Sequence, residues 1–376
     1  MKKKVRKIGI ITGGGDCSGL NAVISAVTKT AINKYSLEVI GYRRGYFGLY
    51  TNDFTRLDLK TVSGIMHQGG TILKSSNKDN LFNYRMENPD GSFMYKDVTD
   101  VAVQNMKREG VDALVVLGGD GTLTSARDFG RMGIPVVGIP KTIDNDLPAT
   151  DVTFGYNTSL EAITDALDKI HTTAYSHDRV MVIEVMGRHT GWLALEGGLS
   201  GSADVILIPE IPYNLDKVVE KIEDRDRQGK YFTVVVVSEG AVEKDGEQVI
   251  REIIEDSADS VRLGGVGDVV TKKLQKLIPH HEVRYTNLAY IQRGGVTSQF
   301  DRSLGIQFGV AAVDLLMNGE YCKMVQYKDH TIKSIDLEEV VGKGEIGETS
   351  KGGAKNVDPN GQLVNTCKSI GISFGD

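Results

Sequence analysis

The stretch Val111–Pro148, VDALVVLGGDGTLTSARDFGRMGIPVVGIPKTIDNDLP, decides the fold. It holds two short apolar runs, Ala113 to Leu117 and Ile134 to Ile139. Each ends abruptly in a loop crowded with glycine and aspartate. The first loop is Gly118-Gly119-Asp120-Gly121-Thr122; the second is Pro140-Lys141-Thr142-Ile143-Asp144-Asn145-Asp146. Short β-branched runs with a helix-like segment between them predict parallel strands of an α/β unit. Ligands bind at the carboxyl ends of such strands, so loops on two consecutive strand ends predict one site assembled from both.

The two loops differ in chemistry. Gly118, Gly119 and Gly121 let backbone N–H groups approach a bulky anion. Asp120 among them would repel a phosphate unless Mg²⁺ stood between, and that ion usually takes one or two carboxylates plus phosphate oxygens. The second loop sets Asp144 and Asp146 beside Lys141 and Thr142. Those residue types suit proton abstraction from a hydroxyl and charge neutralisation on a transferring phosphoryl group.

Outward from this unit the pattern repeats. Lys7 to Thr12 is a predicted strand, followed by Gly13-Gly14-Gly15-Asp16-Cys17-Ser18-Gly19 and a helix to about Ile32. Strand, glycine turn and helix aim N–H groups at a phosphate, although the spacing is neither the Rossmann fingerprint nor the P-loop. Ser36 to Gly41 is a second strand; the aromatic loop after it includes Tyr46, and Gly69 to Lys78 is a glycine-led loop carrying cations. Residues 82–97, with Pro89-Asp90-Gly91 between polar flanks, predict a hairpin or surface excursion. Val98 to Glu109 is a predicted helix.

Beyond the acidic loop the alternation continues with a helix from Thr158 to Thr173 and a strand from Arg179 to Val185 that ends in Met186-Gly187-Arg188-His189-Thr190-Gly191. A strand from Asp204 to Ile208 and a charged helix from Asn214 to Arg227 follow. Tyr231 to Ser238 is almost wholly apolar, as a strand covered on both faces should be, and ends at Glu239-Gly240. Arg262 to Leu277 is predicted helical, entered through Gly264-Gly265-Val266-Gly267. Val283 to Ala289 is a strand leading to Tyr290-Ile291-Gln292-Arg293, and residues 301–317 form an amphipathic helix. From about Val341 the chain is rich in Gly and Lys with weak apolar patterning, and an irregular or peripheral tail is expected. The first half's loops carry carboxylates and glycines, while the second half's carry Arg179, Arg188, Arg284 and Arg293. One half suits a metal–polyphosphate, the other a second anionic substrate.

The 376 residues, 40% of them hydrophobic, are enough for two domains or more. A net charge of −6 leaves no basic footprint for nucleic acid. The basic Met1 to Lys7 is not followed by a long apolar segment, so no secretory signal is read there. No run approaches the ~18 apolar residues of a membrane span. Cys17, Cys322 and Cys367 are scattered and imply no disulfide framework. A cytoplasmic protein is expected.

GGGDCSGLN, GGDGT, PKTIDND, MGRHTGW, SEGA and YIQRGG, in this order between about Lys7 and Leu316, resemble the phosphofructokinase family. GGDGT alone would not, since NAD kinases and some lipid kinases share it. The resemblance implies two similar Rossmann-like α/β domains with mainly parallel sheets and the active site in the cleft between them. On that pattern, residues 1–155 with about 292–340 bind the donor, and 156–291 with about 341–376 bind the sugar phosphate. The implied reaction is phosphorylation of the C1 hydroxyl of fructose 6-phosphate to fructose 1,6-bisphosphate, a step of glycolysis. The donor is ATP or, in one branch, pyrophosphate; Mg²⁺ and a homodimer or homotetramer with shared active sites come with it.

Carried over by position, Asp120 resembles the Mg²⁺ ligand, and Gly14, Tyr46, Lys78, Gly119, Gly121 and Thr122 the donor site. Asp144 matches the general base, with Lys141, Thr142 and Asp146 beside it. Met186, Gly187, Arg188 and Glu239 match contacts to the sugar and the reacting phosphoryl group. Arg179, Arg284, Tyr290 and Arg293 match the group around the 6-phosphate, the first two supplied by a neighbouring chain in symmetric members.

This chain also departs from the family pattern. Ser25, Lys29 and His171 stand where regulated members carry basic effector-site residues, so little response to ADP or phosphoenolpyruvate is expected. No arginine stands at Asn77, although Lys78 follows it, and Tyr290 replaces a common histidine. Lys141 is typical of pyrophosphate users but permissive. Gly121 stands where those enzymes usually carry an Asp that would fill the space of the nucleotide's α-phosphate. Ser125 replaces a second glycine common in ATP users. Gly121 outweighs Ser125, so ATP is the expected donor and pyrophosphate the alternative. The reading from a different class is a catalytically silent sugar-phosphate-binding regulatory homologue. Such a protein has no reason to keep Asp120, Asp144 and Asp146 together.

Overall fold

Strands rich in Val, Ile and Leu, buried on both faces, pair in parallel and take helices over each face, and this chain does so twice. The computed structural model describes residues 5–76, 80–253, 261–348 and 352–376. The strands in chain order are β1 (Lys7–Thr12), β2 (Glu38–Tyr42), β3 (Phe54–Leu57), β4 (Tyr84–Glu87), β5 (Phe93–Lys96), β6 (Ala113–Gly118), β7 (Val136–Pro140), β8 (Arg179–Val185), β9 (Val205–Leu207), β10 (Thr233–Ser238), β11 (Ile250–Ile253), β12 (Val261–Leu263), β13 (Glu282–Asn287), β14 (Lys323–Lys328) and β15 (Thr331–Asp336). The larger sheet runs β15-β14-β7-β6-β1-β2-β3, parallel except for its two edge strands. The smaller runs β13-β8-β10-β9, all parallel. β4–β5 is the expected hairpin around Pro89-Asp90-Gly91, and β11 and β12 pair antiparallel.

Two expectations are corrected. Val261–Leu263 is a strand, and the helix predicted from Arg262 begins only at Val266. The reason lies outside the segment: the buried Glu184 carboxylate on β8 accepts the Gly265 and Gly267 N–H groups, both at 2.8 Å, and so fixes where that helix starts. The C-terminal stretch is not peripheral. Val357, Val364, Cys367, Ile372 and Phe374 are buried, Gln362–Ser369 is a helix, and Ser373 pairs in parallel with Val205 of β9. Those apolar residues are too irregularly spaced to show a period.

The larger sheet also gains strands that the apolar pattern does not announce: β3 and β14, where buried and exposed positions mix, and β15, where none is fully buried. The helix Gln299–Asn318 brings the chain back to this sheet. Its Gly305 and Gly309 let it lie close against the helix Leu20–Tyr35; a Cβ on Gly309 would sit 2.7 Å from that of Ala26. Buried Asp301 near its start accepts from the Thr158 N–H and hydroxyl at 2.7 and 2.6 Å, which ties it to the helix Tyr156–Ser176.

Candidate active site

Because β1, β6 and β7 are parallel neighbours, the loops after them emerge at one edge of the larger sheet. Gly13 N–H donates to the Leu117 carbonyl, which locks the first loop to the second strand. The Thr122 side chain fills the gap between these loops, since a Cβ on Gly118 would sit 2.2 Å from it and one on Gly13 2.6 Å. Gly14 has φ +76°, with the Lys141 amine 3.3 Å from where its Cβ would be. Lys141 is buried and donates to the Gly15 carbonyl at 2.6 Å. The N-cap of the helix Asp120–Arg131 is Gly119, which has no side chain to cap it, so the first N–H groups of that helix face the loop, a ready anion site.

The acidic loop after β7 is held from within. Asp144, 3% exposed, accepts the Thr142 hydroxyl on one carboxylate oxygen at 3.2 Å, and its own N–H donates to that hydroxyl oxygen at 3.1 Å. The other oxygen, Oδ1, is buried with no hydrogen-bond partner among the described residues. An unsatisfied buried acceptor costs about 1–3 kcal/mol, which a substrate hydroxyl would relieve. Asn145 takes the left-handed region at φ 53°, and its side chain accepts from the Thr153 N–H.

The smaller sheet presents the ends of β8 and β10 to this loop. Thr190 Oγ1 lies 3.4 Å from the Asp144 carbonyl, and the Arg188 guanidinium lies 3.9 Å from Asp120. Glu239, after β10, accepts the Gly187 and Arg188 N–H groups at 3.2 and 2.9 Å. Met186 N–H donates to buried Gln292.

Crowded carboxylates in this setting resist ionisation. Burial raises Asp146 to about 7, with the Asp144 charge adding and Arg188 opposing. Burial also raises Glu239 to about 7, against the Arg188 N–H, with Asp144 adding. Burial pushes the Lys141 amine down, although Asp144 and Asp146 partly counter it.

The structure thus brings Gly14, Gly119, Asp120, Gly121, Thr122, Lys141, Thr142, Asp144, Asp146, Met186, Gly187, Arg188 and Glu239 to facing strand ends. Tyr46 lies beneath the loop, stacked on Phe129 in the core, its hydroxyl donating to the Thr122 carbonyl. Lys78 lies outside the described residues. Arg293 rests against the first glycine loop, donating to the Asp16 carbonyl. Arg179 and Arg284 sit at the opposite end of the smaller sheet, both paired to Glu282, which they hold near 2. Tyr290 is 77% exposed. Ser25 is buried, its hydroxyl donating to the Val62 carbonyl.

Sequence reasoning missed the supports of the acidic loop. Lys355 donates its N–H to the Asp146 carbonyl and its amine to those of Thr150 and Asp151, while Trp192 holds the Lys355 carbonyl. Nothing in the surrounding sequence signals this. Gln292 was within reach, lying inside YIQRGG.

For Mg²⁺, the donor chemistry fits. Asp120 is an exposed carboxylate beside uncapped N–H groups, and the Asp144 and Asp146 carboxyls lie close enough to act on one another and on it. Among the described residues these three do not form a closed cage of ligand atoms. A single carboxylate plus substrate oxygens is how Mg²⁺ usually binds.

The Phosphofructokinase family model matches residues 7–316. The chain is 59% identical to ATP-dependent 6-phosphofructokinase 2 of Clostridium perfringens, over all of both chains. It is 41% identical over 370 residues to the pyrophosphate–fructose 6-phosphate 1-phosphotransferase of Streptomyces coelicolor, covering 98% of this chain and 100% of that one. Among solved structures, Pichia pastoris phosphofructokinase in the T-state superposes with a TM-score of 0.75 at 32% identity, over 90% of this chain and 36% of that longer one. No helix among the described residues is long and apolar enough to cross a membrane. Motif order, facing strand ends and full-length similarity agree: the chain belongs to the phosphofructokinase family.

Proposed function

We propose that the chain transfers the γ-phosphoryl group of ATP to the C1 hydroxyl of fructose 6-phosphate, giving fructose 1,6-bisphosphate in glycolysis. The observation that carries this reading is the unpartnered, buried Oδ1 of Asp144 where the two sheets' loops converge. Asp144 takes the proton of the C1 hydroxyl as the hydroxyl oxygen attacks the γ-phosphorus; the bond from that phosphorus to the β–γ bridging oxygen breaks and ADP leaves. Thr142 orients Asp144, and Lys141 and Arg188 stabilise charge on the transferring group. Gly14, Gly119, Gly121, Thr122 and Lys78 hold the donor, with Tyr46 bracing their loop. Asp120 would hold Mg²⁺, whose charge offsets that of the donor phosphates. Asp146, Met186, Gly187 and Glu239 position the sugar, and Tyr290 and Arg293 serve its phosphate.

Arg179 and Arg284 complete the 6-phosphate grip from a neighbouring subunit of a homodimer or homotetramer. The span of β8 supports this: Arg179 lies seven residues from Met186, roughly 20 Å or more along a strand. The return of β14 and β15 to the larger sheet and of Ser373 to the smaller supports a donor domain of 1–155 with about 292–340. The sugar-phosphate domain is then 156–291 with about 341–376. Three free cysteines fit a reducing cytoplasm.

The 59% identical relative named ATP-dependent and Gly121 both favour ATP. Pyrophosphate is the alternative, and a silent regulatory homologue is poorly served by the retained Asp120, Asp144 and Asp146. Purified protein with fructose 6-phosphate and Mg²⁺, given ATP or pyrophosphate in turn, tests the reading. Turnover with pyrophosphate alone overturns the donor, and turnover with neither overturns the enzyme. Gly121→Asp is expected to cut ATP use severely, since an unpaired charge at contact distance costs about 1–4 kcal/mol.

A further inference from the structure

Away from the cleft, the end of the helix Leu215–Arg227 meets the turn between the helix Val266–Leu277 and β13. Asp226, His280 and His281 converge there, with one ligand atom from each all within 4.8 Å of one another. His281 is 8% exposed and its Nε2 lies 2.7 Å from Asp226 Oδ2. The other oxygen of Asp226 is buried with no hydrogen-bond partner among the described residues. His280 is exposed and its ring lies 4.6 Å from that of His281, so the cluster has an open side.

We infer that Asp226, His280 and His281 form a binding site for a divalent transition metal of the Zn²⁺ or Co²⁺ class, with water completing the coordination. Imidazole with a carboxylate selects such ions over Mg²⁺, which prefers all-oxygen surroundings. Bonds of about 2.0–2.2 Å place tetrahedral ligand atoms about 3.3 Å apart, so side-chain rotations alone bring these three into range. The backbone is already fixed. Gln275 donates to the His281 carbonyl at 2.9 Å and accepts the Val283 N–H at 3.1 Å, while the Gly229 N–H holds the Asp226 carbonyl at 2.9 Å. Neighbouring charges are engaged elsewhere: Arg227 pairs with Asp224 and Glu223, and Glu282 with Arg179 and Arg284. An ion here staples a helix end to the root of β13, one residue ahead of Glu282.

The test uses the full chain without a histidine tag, stripped of metal and held in millimolar Mg²⁺. Zn²⁺ is titrated calorimetrically and Co²⁺ is followed by its visible absorption. One ion per chain at micromolar affinity or tighter, with visible Co²⁺ bands, is expected. His280→Ala, at an exposed position that the fold does not depend on, should weaken binding at least about tenfold, since outer-shell partners alone cost that much. Asp226→Asn should do the same. No saturable binding in the wild-type chain, or wild-type affinity in either variant, overturns the site.

Discussion

Asp144 combines a held oxygen and an orphaned one, which separates its orientation from its chemistry. Asp144→Asn keeps the shape and removes the proposed base. Turnover is expected to fall by roughly 10² to 10⁴, with fructose 6-phosphate binding by calorimetry nearly intact. A variant with more than about a tenth of wild-type turnover removes Asp144 from the role. The neighbouring carboxyls make a second prediction. Asp146 and Glu239 have ordinary values of 3.8 and 4.5 and are raised to about 7 in the folded chain. The folded state therefore holds protons that the unfolded state has released. The stability these groups contribute is complete below about pH 4 and is lost as pH rises through about 7. The melting temperature of the ligand-free protein should fall from about pH 5 to about pH 8, less so in Glu239→Gln. Equal slopes in both proteins would deny Glu239 this role.

At the level of elements, the stretch from Lys355 onward works as part of the site's frame. Lys355→Met removes the amine's bonds to the Thr150 and Asp151 carbonyls. Chemical denaturation should show a loss of about 1–3 kcal/mol, and kcat should fall more than KM rises, because the acidic loop loses its brace. An unchanged denaturation midpoint would show that the amine is dispensable. This segment also marks where sequence reading runs out. β1 and β8 were legible to the residue because their β-branched runs are bounded by glycine or charge. The glycine and aspartate loops were legible as strand ends because Gly and Asp break each apolar run abruptly. β14 and β15 were not: the polar alternation of β15 suits a sheet edge and a surface loop equally, and the short run in β14 has lysines at both ends and a glutamine within it. Lys355 was invisible because its partners are backbone carbonyls far away in sequence, and carbonyls leave no mark on residue type. The start of the helix at Val266 depends on Glu184, some eighty positions earlier.

Across the whole molecule, the proposed function has Arg179 and Arg284, distant from the acidic loop, complete the 6-phosphate grip of a neighbouring chain. Mixing an inactive Arg284→Ala chain with an inactive Asp144→Asn chain should therefore restore activity. Random exchange within a dimer gives about a quarter of the wild-type value, because half the assemblies carry one intact site. No recovery after exchange verified by native mass spectrometry would mean that each chain builds its own grip.

The order of strands in the larger sheet has a consequence for biosynthesis. β7 pairs with β14, which follows it by some 180 residues. At ~5–20 residues per second, the open flank of β7 waits about 10–40 s on the ribosome for its partner. During that interval a nearly all-parallel sheet of strongly apolar strands stands with one edge unpaired, the condition that favours association between nascent chains. The glycine loops at its carboxyl end, which the proposed function assigns to the donor, emerge at the same time, so on that reading nucleotide in the cell is available to engage them before translation ends.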